Sequence, residues 1–132
     1  MKFEDLEAWK AARVMVRHIY GLTRSGPLAR DFGLCDQLQR AGVSSMSNLA
    51  EGFERIHLPE KLQYYNVARA STGETRSLLY VIEDNYPEAA PAALALRAET
   101  ITVGQLTSGL IRSTEQRKSR GQFLGWLLAL LP

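Results

Sequence analysis

Prolines are few in this sequence and, the last residue aside, fall in three places, and that spacing limits the fold more than any other feature. The breaks are Ser25-Gly26-Pro27, Ile56-His57-Leu58-Pro59, and Tyr86-Pro87 through Pro91. Proline lacks a backbone donor and restricts the residue before it, so helices stop at such points. The four intervening segments are each roughly 20–30 residues long, a helical length. No alternating apolar run bounded by hairpin signals argues for strands. The predicted class is all-α: an antiparallel up-down-up-down four-helix bundle over residues 1–118, followed by an apolar C-terminal segment over 119–132. With 132 residues there is room for one core of normal size.

Periodicity then places the helices. The first is predicted from about Asp5 to Arg24, with Leu6, Trp9, Val16 and Tyr20 inward and Ala12 and Ile19 beside them. The second starts near Asp31–Leu34 and ends near Glu54. The third starts near Pro59-Glu60, where proline suits a first turn, with Tyr64, Val67, Ala68, Ser71, Leu78 and Ile82 inward. The fourth runs from about Ala92 to Lys118, with Leu96, Val103, Leu106 and Leu110 inward and Gly104 and Gly109 weakening it.

The second helix has two arcs. Leu34, Cys35, Leu38, Gly42, Ser45, Met46, Leu49 and Phe53 face the bundle. Gln37, Arg40, Ala41, Ser44, Asn48, Glu51 and Arg55 form a second arc about 100° wide. Charge on a helix usually just faces water, so a solvated face is one reading. An ordinary solvated arc, however, favours long charged residues and good helix formers. Serine and asparagine compete for backbone hydrogen bonds and are poor interior choices, while short side chains admit a neighbouring helix. The other reading is therefore a seam in which Gln37, Arg40, Ser44, Asn48, Glu51 and Arg55 hold a second subunit, with Arg40, Glu51 and Arg55 pairing inside it.

The same helix carries a resemblance. Gly33-Leu34-Cys35-Asp36-Gln37-Leu38-Gln39-Arg40-Ala41, then Val43-Ser44, then Asn48-Leu49-Ala50-Glu51-Gly52-Phe53-Glu54-Arg55, is close to the pattern yGLxxQxxRAxxSxxxNxAEGxxR. That pattern resembles the four-helix-bundle family of 23S rRNA intervening-sequence proteins. The opening Phe3-Glu4-Asp5-Leu6-Glu7-Ala8-Trp9-Lys10-Ala11, the turn Tyr20-Gly21-Leu22-Thr23 with Pro27, and Ala68-Arg69-Ala70-Ser71 with Glu74 look like further family segments. Ala70 departs from a common Gly, and Met46 from a common Ile or Pro. The likeness covers roughly residues 3–84. It implies a bundle that assembles as a ring-like homopentamer. Relatives include the accessory protein of diversity-generating retroelements, a basic pentameric barrel that binds nucleic acid and a reverse transcriptase; others are encoded within ribosomal RNA genes. The implied partners here are further copies of the chain, and nucleic acid or a nucleic-acid enzyme.

Two more features bear on partners. Residues 121–132 hold Phe123, Leu124, Trp126, Leu127, Leu128, Leu130 and Leu131, too much apolar surface to leave bare on a monomer. The segment is expected to fold back on its own bundle or to pack on a neighbour through Phe123, Trp126, Leu127 and Leu130, with Ser113 to Arg120 as a flexible polar lead. Just before it, Arg112, Arg117, Lys118 and Arg120 form a basic patch that either steadies a helix C-terminus or contacts phosphates. Arg13, Arg17 and Arg24 on the first helix invite the same two readings.

Other classes find little support. The net charge is only +2, so composition does not demand nucleic acid. A single cysteine, Cys35, excludes an intrachain disulfide and suggests a reducing, cytoplasmic setting. The acidic opening suggests no signal peptide, and no apolar run is long enough for a bilayer span. His18 and His57 are read as isolated surface residues and Cys35 as a buried inert thiol. Glu51 and Glu74 are two carboxylates that lack the Glu-x-x-His motif of di-iron bundles. No nucleophile motif or phosphate-binding loop occurs. A non-enzymatic module without metal, cofactor, membrane or small-molecule substrate is expected.

Overall fold

The computed structural model describes residues 1–132, and its four helices carry nearly all of the chain. Helix α1 spans Glu7–Leu22, α2 Phe32–Glu54, α3 Leu58–Asn85 and α4 Ala90–Ala129. Short 3₁₀ turns at Phe3–Asp5, Pro27–Arg30 and Pro87–Ala89 lead into α1, α2 and α4. Each helix packs on the two beside it, giving an antiparallel up-down-up-down bundle.

The connections follow from local chemistry. Gly26 takes φ 72°, a left-handed conformation that glycine adopts at no steric cost. Pro27 then opens a single 3₁₀ turn, and Asp31 caps α2 by accepting the Leu34 N–H at 3.2 Å. The other Asp31 oxygen accepts the Tyr86 hydroxyl at 2.7 Å, which ties the start of α2 to the end of α3. That bond, ahead of burial and the Asp31 charge, holds the Tyr86 phenol above its usual range. Pro59 sits in the first turn of α3 as expected.

The core stripes differ from expectation by one helix position in several places. In α1 the buried set is Ala8, Ala12, Met15 and Ile19, preceded by Leu6; Trp9 and Val16 sit at the edge, and Tyr20 is exposed. Trp9 is instead held by Phe3, edge-on at 5.2 Å, and by Arg13 above its ring at 5.7 Å. In α3 Tyr65, not Tyr64, enters the core, and Val67 is exposed. In α4 Thr107 and Ile111 are buried where Leu106 and Leu110 were expected; Leu106 is exposed and Leu110 half-buried.

Two glycines set how closely α2 can approach its neighbours. A Cβ on Gly42 would lie 2.5 Å from Ile19 Cδ1 of α1, and one on Gly52 would lie 2.6 Å from the Tyr65 ring of α3. Much of the remaining space between α2, α3 and α4 is filled by hydroxyl residues. Ser45 and Thr72 share a hydrogen bond at 2.6 Å. Thr72, Thr75, Thr107 and Thr114 each donate to the carbonyl four residues back. Their hydroxyls are satisfied within their own helices, so the methyl groups can serve as apolar packing.

Helix α4 does not stop near Lys118. It is 40 residues long, roughly 60 Å, against 28 residues for α3. Ser113–Arg120 is helical, not a flexible lead, and the boundary drawn at residue 118 falls inside this helix. Thr114 is its last buried residue. The remainder does not fold back on the bundle.

Candidate interaction surface

The polar arc of α2 divides into parts that the chain satisfies internally and parts that it leaves open. Ser44 is half-buried and meets Ser71 of α3 at 2.8 Å; Asn48 donates to the Ser44 carbonyl at 2.8 Å and to its hydroxyl at 3.0 Å. The Ser44–Ser71 bond stitches α2 to α3 within one copy, and Asn48 supports it from α2. Ala41 belongs to the core at 4% exposure, not to the arc. Arg40 pairs with Asp36 at 2.8 Å, on its own helix. Arg55 lies over the Tyr64 ring at 4.6 Å and donates to its hydroxyl. Arg40, Glu51 and Arg55 therefore do not pair with one another within the chain. Gln37 and Glu51 are exposed, and Glu51 has no ion-pair partner.

The C-terminal end of the chain carries a dense run of exposed large apolar residues. Phe123, Leu124, Trp126, Leu127, Leu128, Leu130 and Leu131 are between 40% and 66% exposed. Phe123 and Trp126 stack one helical turn apart with ring centroids 6.2 Å from each other. Phe123, Trp126, Leu127 and Leu130 fall on one face at helical spacing, with Gly121, Gly125 and the exposed Leu128 towards the opposite side.

The basic residues split between two places. Arg117 and Arg120 are exposed and Lys118 half-buried on the stretch of α4 that leaves the bundle. Lys61, near the start of α3, packs its ammonium against the Phe53 carbonyl at the end of α2 and over the Phe53 ring. Burial pushes this ammonium below its usual range; the Arg117 charge adds to the effect and Glu54 opposes it. Arg112 lies elsewhere, with Arg69 and Arg76, in a groove between α3 and α4 of about 660 Å³. Ala70, Gly73, Gly104 and Ser108 give it a shallow floor, and no Asp or Glu lines it. None of the three arginines has an ion-pair partner in the chain. Sequence reasoning named Arg112 but missed Arg69 and Arg76. Their seven-residue separation, with Gly73 between them, was the available signal, since it puts both on one helical face.

His18 is not isolated: its Nδ1 meets Glu99 at 2.8 Å and links α1 to α4. Cys35 is buried and its thiol donates to the Leu28 carbonyl at 3.2 Å, with burial pushing its pKa up. No group of three or more His, Cys, Asp or Glu side chains comes together, and no helix is long and apolar enough to cross a membrane.

The family model described as 23S rRNA-intervening sequence protein matches residues 4–109. The chain belongs to this family. The match covers all of α1, α2 and α3 and continues into α4, well beyond the stretch ending near Asp84 in which the sequence resemblance was legible. The exposed apolar end of α4 lies outside the matched residues of this 23S rRNA-intervening sequence protein. None of the curated proteins matches the chain.

Proposed function

We propose that this 23S rRNA-intervening sequence protein is a non-enzymatic scaffold that works as a homo-oligomer and holds a protein or nucleic-acid partner. Five copies is the number that the family resemblance implies. The observation that carries the reading is the end of α4: Phe123, Leu124, Trp126, Leu127 and Leu128 stand exposed on a helix that extends past the bundle, and Leu130 and Leu131 stand exposed just beyond it. Burying one such side chain contributes about 1.5–3 kcal/mol, so a few of them, Phe123, Trp126, Leu127 and Leu130 foremost, suffice to drive association. On the polar face of α2, which carries Gln37, Arg40, Ser44, Asn48, Glu51 and Arg55, the exposed Gln37 and Glu51 are free to give that association its register. Native mass spectrometry of the full chain tests the reading. The expected mass is a multiple of 14.7 kDa, reduced to the monomer by Trp126→Glu, Leu127→Glu and Leu130→Glu together. A wild-type chain that remains at the monomer mass at micromolar concentration refutes it.

A second reading, direct nucleic-acid binding, draws support from the basic stretch Arg117, Lys118 and Arg120 with Lys61 nearby, and from Arg112 in its groove. Repeated around a ring, these charges would attract phosphate backbones with steep salt dependence. Gel shifts from low to high salt check it, and absence of a shift at low salt dismisses it.

A further inference from the structure

We propose that the α2–α3 face of one copy docks into the α3–α4 groove of the next, with Glu51 and Glu74 meeting Arg69, Arg76 and Arg112. The proposal rests on the homo-oligomer reading above and names the surfaces that would join. Four observations lead to it.

The first is charge. Glu51 and Glu74 are exposed and lack ion-pair partners, and so are the three arginines of the groove. Opposite signs thus stand unpaired on two different faces of the same molecule. The second is placement. Ser44 and Ser71 touch across the α2–α3 seam. Glu51 is seven residues from Ser44 and Glu74 three from Ser71, so both lie on the side of their helices that carries that seam. Arg69 and Arg76 are on the other flank of α3, facing α4.

The third observation is fit. The groove floor is made of small residues, and a Cβ added at Gly73 or Gly104 would meet nothing within 4 Å. A helix edge can therefore approach closely. Along the bundle axis Glu51 and Glu74 are separated by about 15 Å, because the helices run in opposite directions from the serine contact. Arg69 and Arg76 are about 10 Å apart by the same rise, with Arg112 towards the start of α3. The acids and the arginines thus span comparable lengths. The fourth is symmetry. The two surfaces are different, so the contact is heterologous and generates a ring or a filament, not a two-fold dimer. They are adjacent sides of a four-sided bundle, so each copy is turned relative to the one before it, as a closed ring requires.

Charge reversal tests this directly. Glu51→Arg with Glu74→Arg, and separately Arg69→Glu with Arg76→Glu, place like charges opposite each other. Each pair should raise the concentration needed for assembly by more than about tenfold. The chain carrying all four substitutions should regain the wild-type mass. The positions are exposed, and circular dichroism with thermal melting establishes that each variant folds. A wild-type monomer refutes the oligomer reading itself. An oligomeric wild type whose paired variants assemble unchanged overturns only the docking proposal. So does a failure of the fourfold variant to reassemble. If Arg69→Glu with Arg76→Glu abolishes binding of single-stranded RNA while leaving the assembly intact, the groove belongs to nucleic acid and the proposal falls.

Discussion

The α2–α3 seam and the end of α4 are built from opposite materials. The seam is tight and mostly small: Gly52 against Tyr65, Ser44 against Ser71, Ser45 against Thr72, with Leu49 fully buried beneath. The end of α4 is large and bare, with Phe123, Trp126 and Leu127 exposed on an unaccompanied helix and Leu130 just beyond it. In the seam, shape complementarity is completed within one copy. At the end of α4 the apolar material is present and the complementary surface is not. The contrast teaches that hydrophobic content alone does not mark the core of this molecule; the neighbours available to each residue do.

The same substitution made in both regions gives the largest expected difference. Leu49→Ala empties a fully buried site and should lower unfolding free energy by about 3 kcal/mol, within the usual range for such cavities. Leu127→Ala, on the exposed helix, should leave the unfolding of a single copy nearly unchanged while weakening assembly. Urea denaturation at concentrations too low for association, set beside native mass measurement, separates the two effects. Equal losses of single-copy stability would erase the distinction between the regions.

Glycine gives a smaller contrast of opposite sign. A Cβ on Gly52 would meet two atoms of the Tyr65 ring, at 2.6 and 2.7 Å, and Tyr64 Cβ at 3.0 Å. A buried ring yields less readily than a flexible chain end, so Gly52→Ala should cost about 1–3 kcal/mol from overpacking. Improved helix propensity offsets up to about 1 kcal/mol of that. At Gly125 nothing lies within 4 Å. Gly125→Ala should therefore only strengthen the helix, by up to about 1 kcal/mol, visible as increased helicity in circular dichroism. A stabilising Gly52→Ala would mean that the seam is looser than its distances indicate.

These contrasts also explain what the sequence disclosed. Proline and glycine punctuation placed three of the four helices to within a few residues, because backbone constraints act locally. The α2 core face was legible in Cys35, Leu38, Gly42, Ser45 and Leu49, where periodicity is unambiguous. Adjacent Tyr64 and Tyr65 were not separable, because the choice between them depends on the space left by Gly52 on another helix. The core of α4 was misread at Thr107 because a threonine counts as polar in a pattern, whereas this hydroxyl is absorbed by the Val103 carbonyl at 2.8 Å. Of the interaction surface, the polar arc and the apolar end were visible as residue types. Arg112 was visible as a basic residue, but its grouping with Arg69 and Arg76 was not, because they are brought together only by the antiparallel pairing of α3 and α4. The end of α4 was expected to be a separate segment behind a flexible polar lead, yet Ser113–Arg120 is helical, because polar residues do not by themselves end a helix and one glycine, Gly121, costs it only about 1 kcal/mol.

The smallest expected effect concerns how firmly the closed end of the bundle is tied. Where the start of α2 meets the end of α3, Asp31 caps one helix with one oxygen and accepts the Tyr86 hydroxyl with the other. The C-terminal end of α4 has no equivalent tie; its closing bonds are backbone bonds at Leu130 and Leu131. The Tyr86 phenol is held above its ordinary value, chiefly by the hydrogen bond it donates to Asp31. A raised folded-state pKa means that the folded chain favours the protonated form. Its contribution is complete below the unfolded value of about 10 and is lost as pH rises through the folded value. Wild-type stability should therefore fall between pH 8 and pH 11. Tyr86→Phe should be less stable at pH 8 and should fall less steeply, since it has already lost the bond. Part of the fall persists in the variant because burial also raises the Tyr65 phenol. Urea titrations of both chains at the two pH values measure the difference of slopes, and parallel declines would show that the Tyr86–Asp31 bond contributes nothing to holding that end shut.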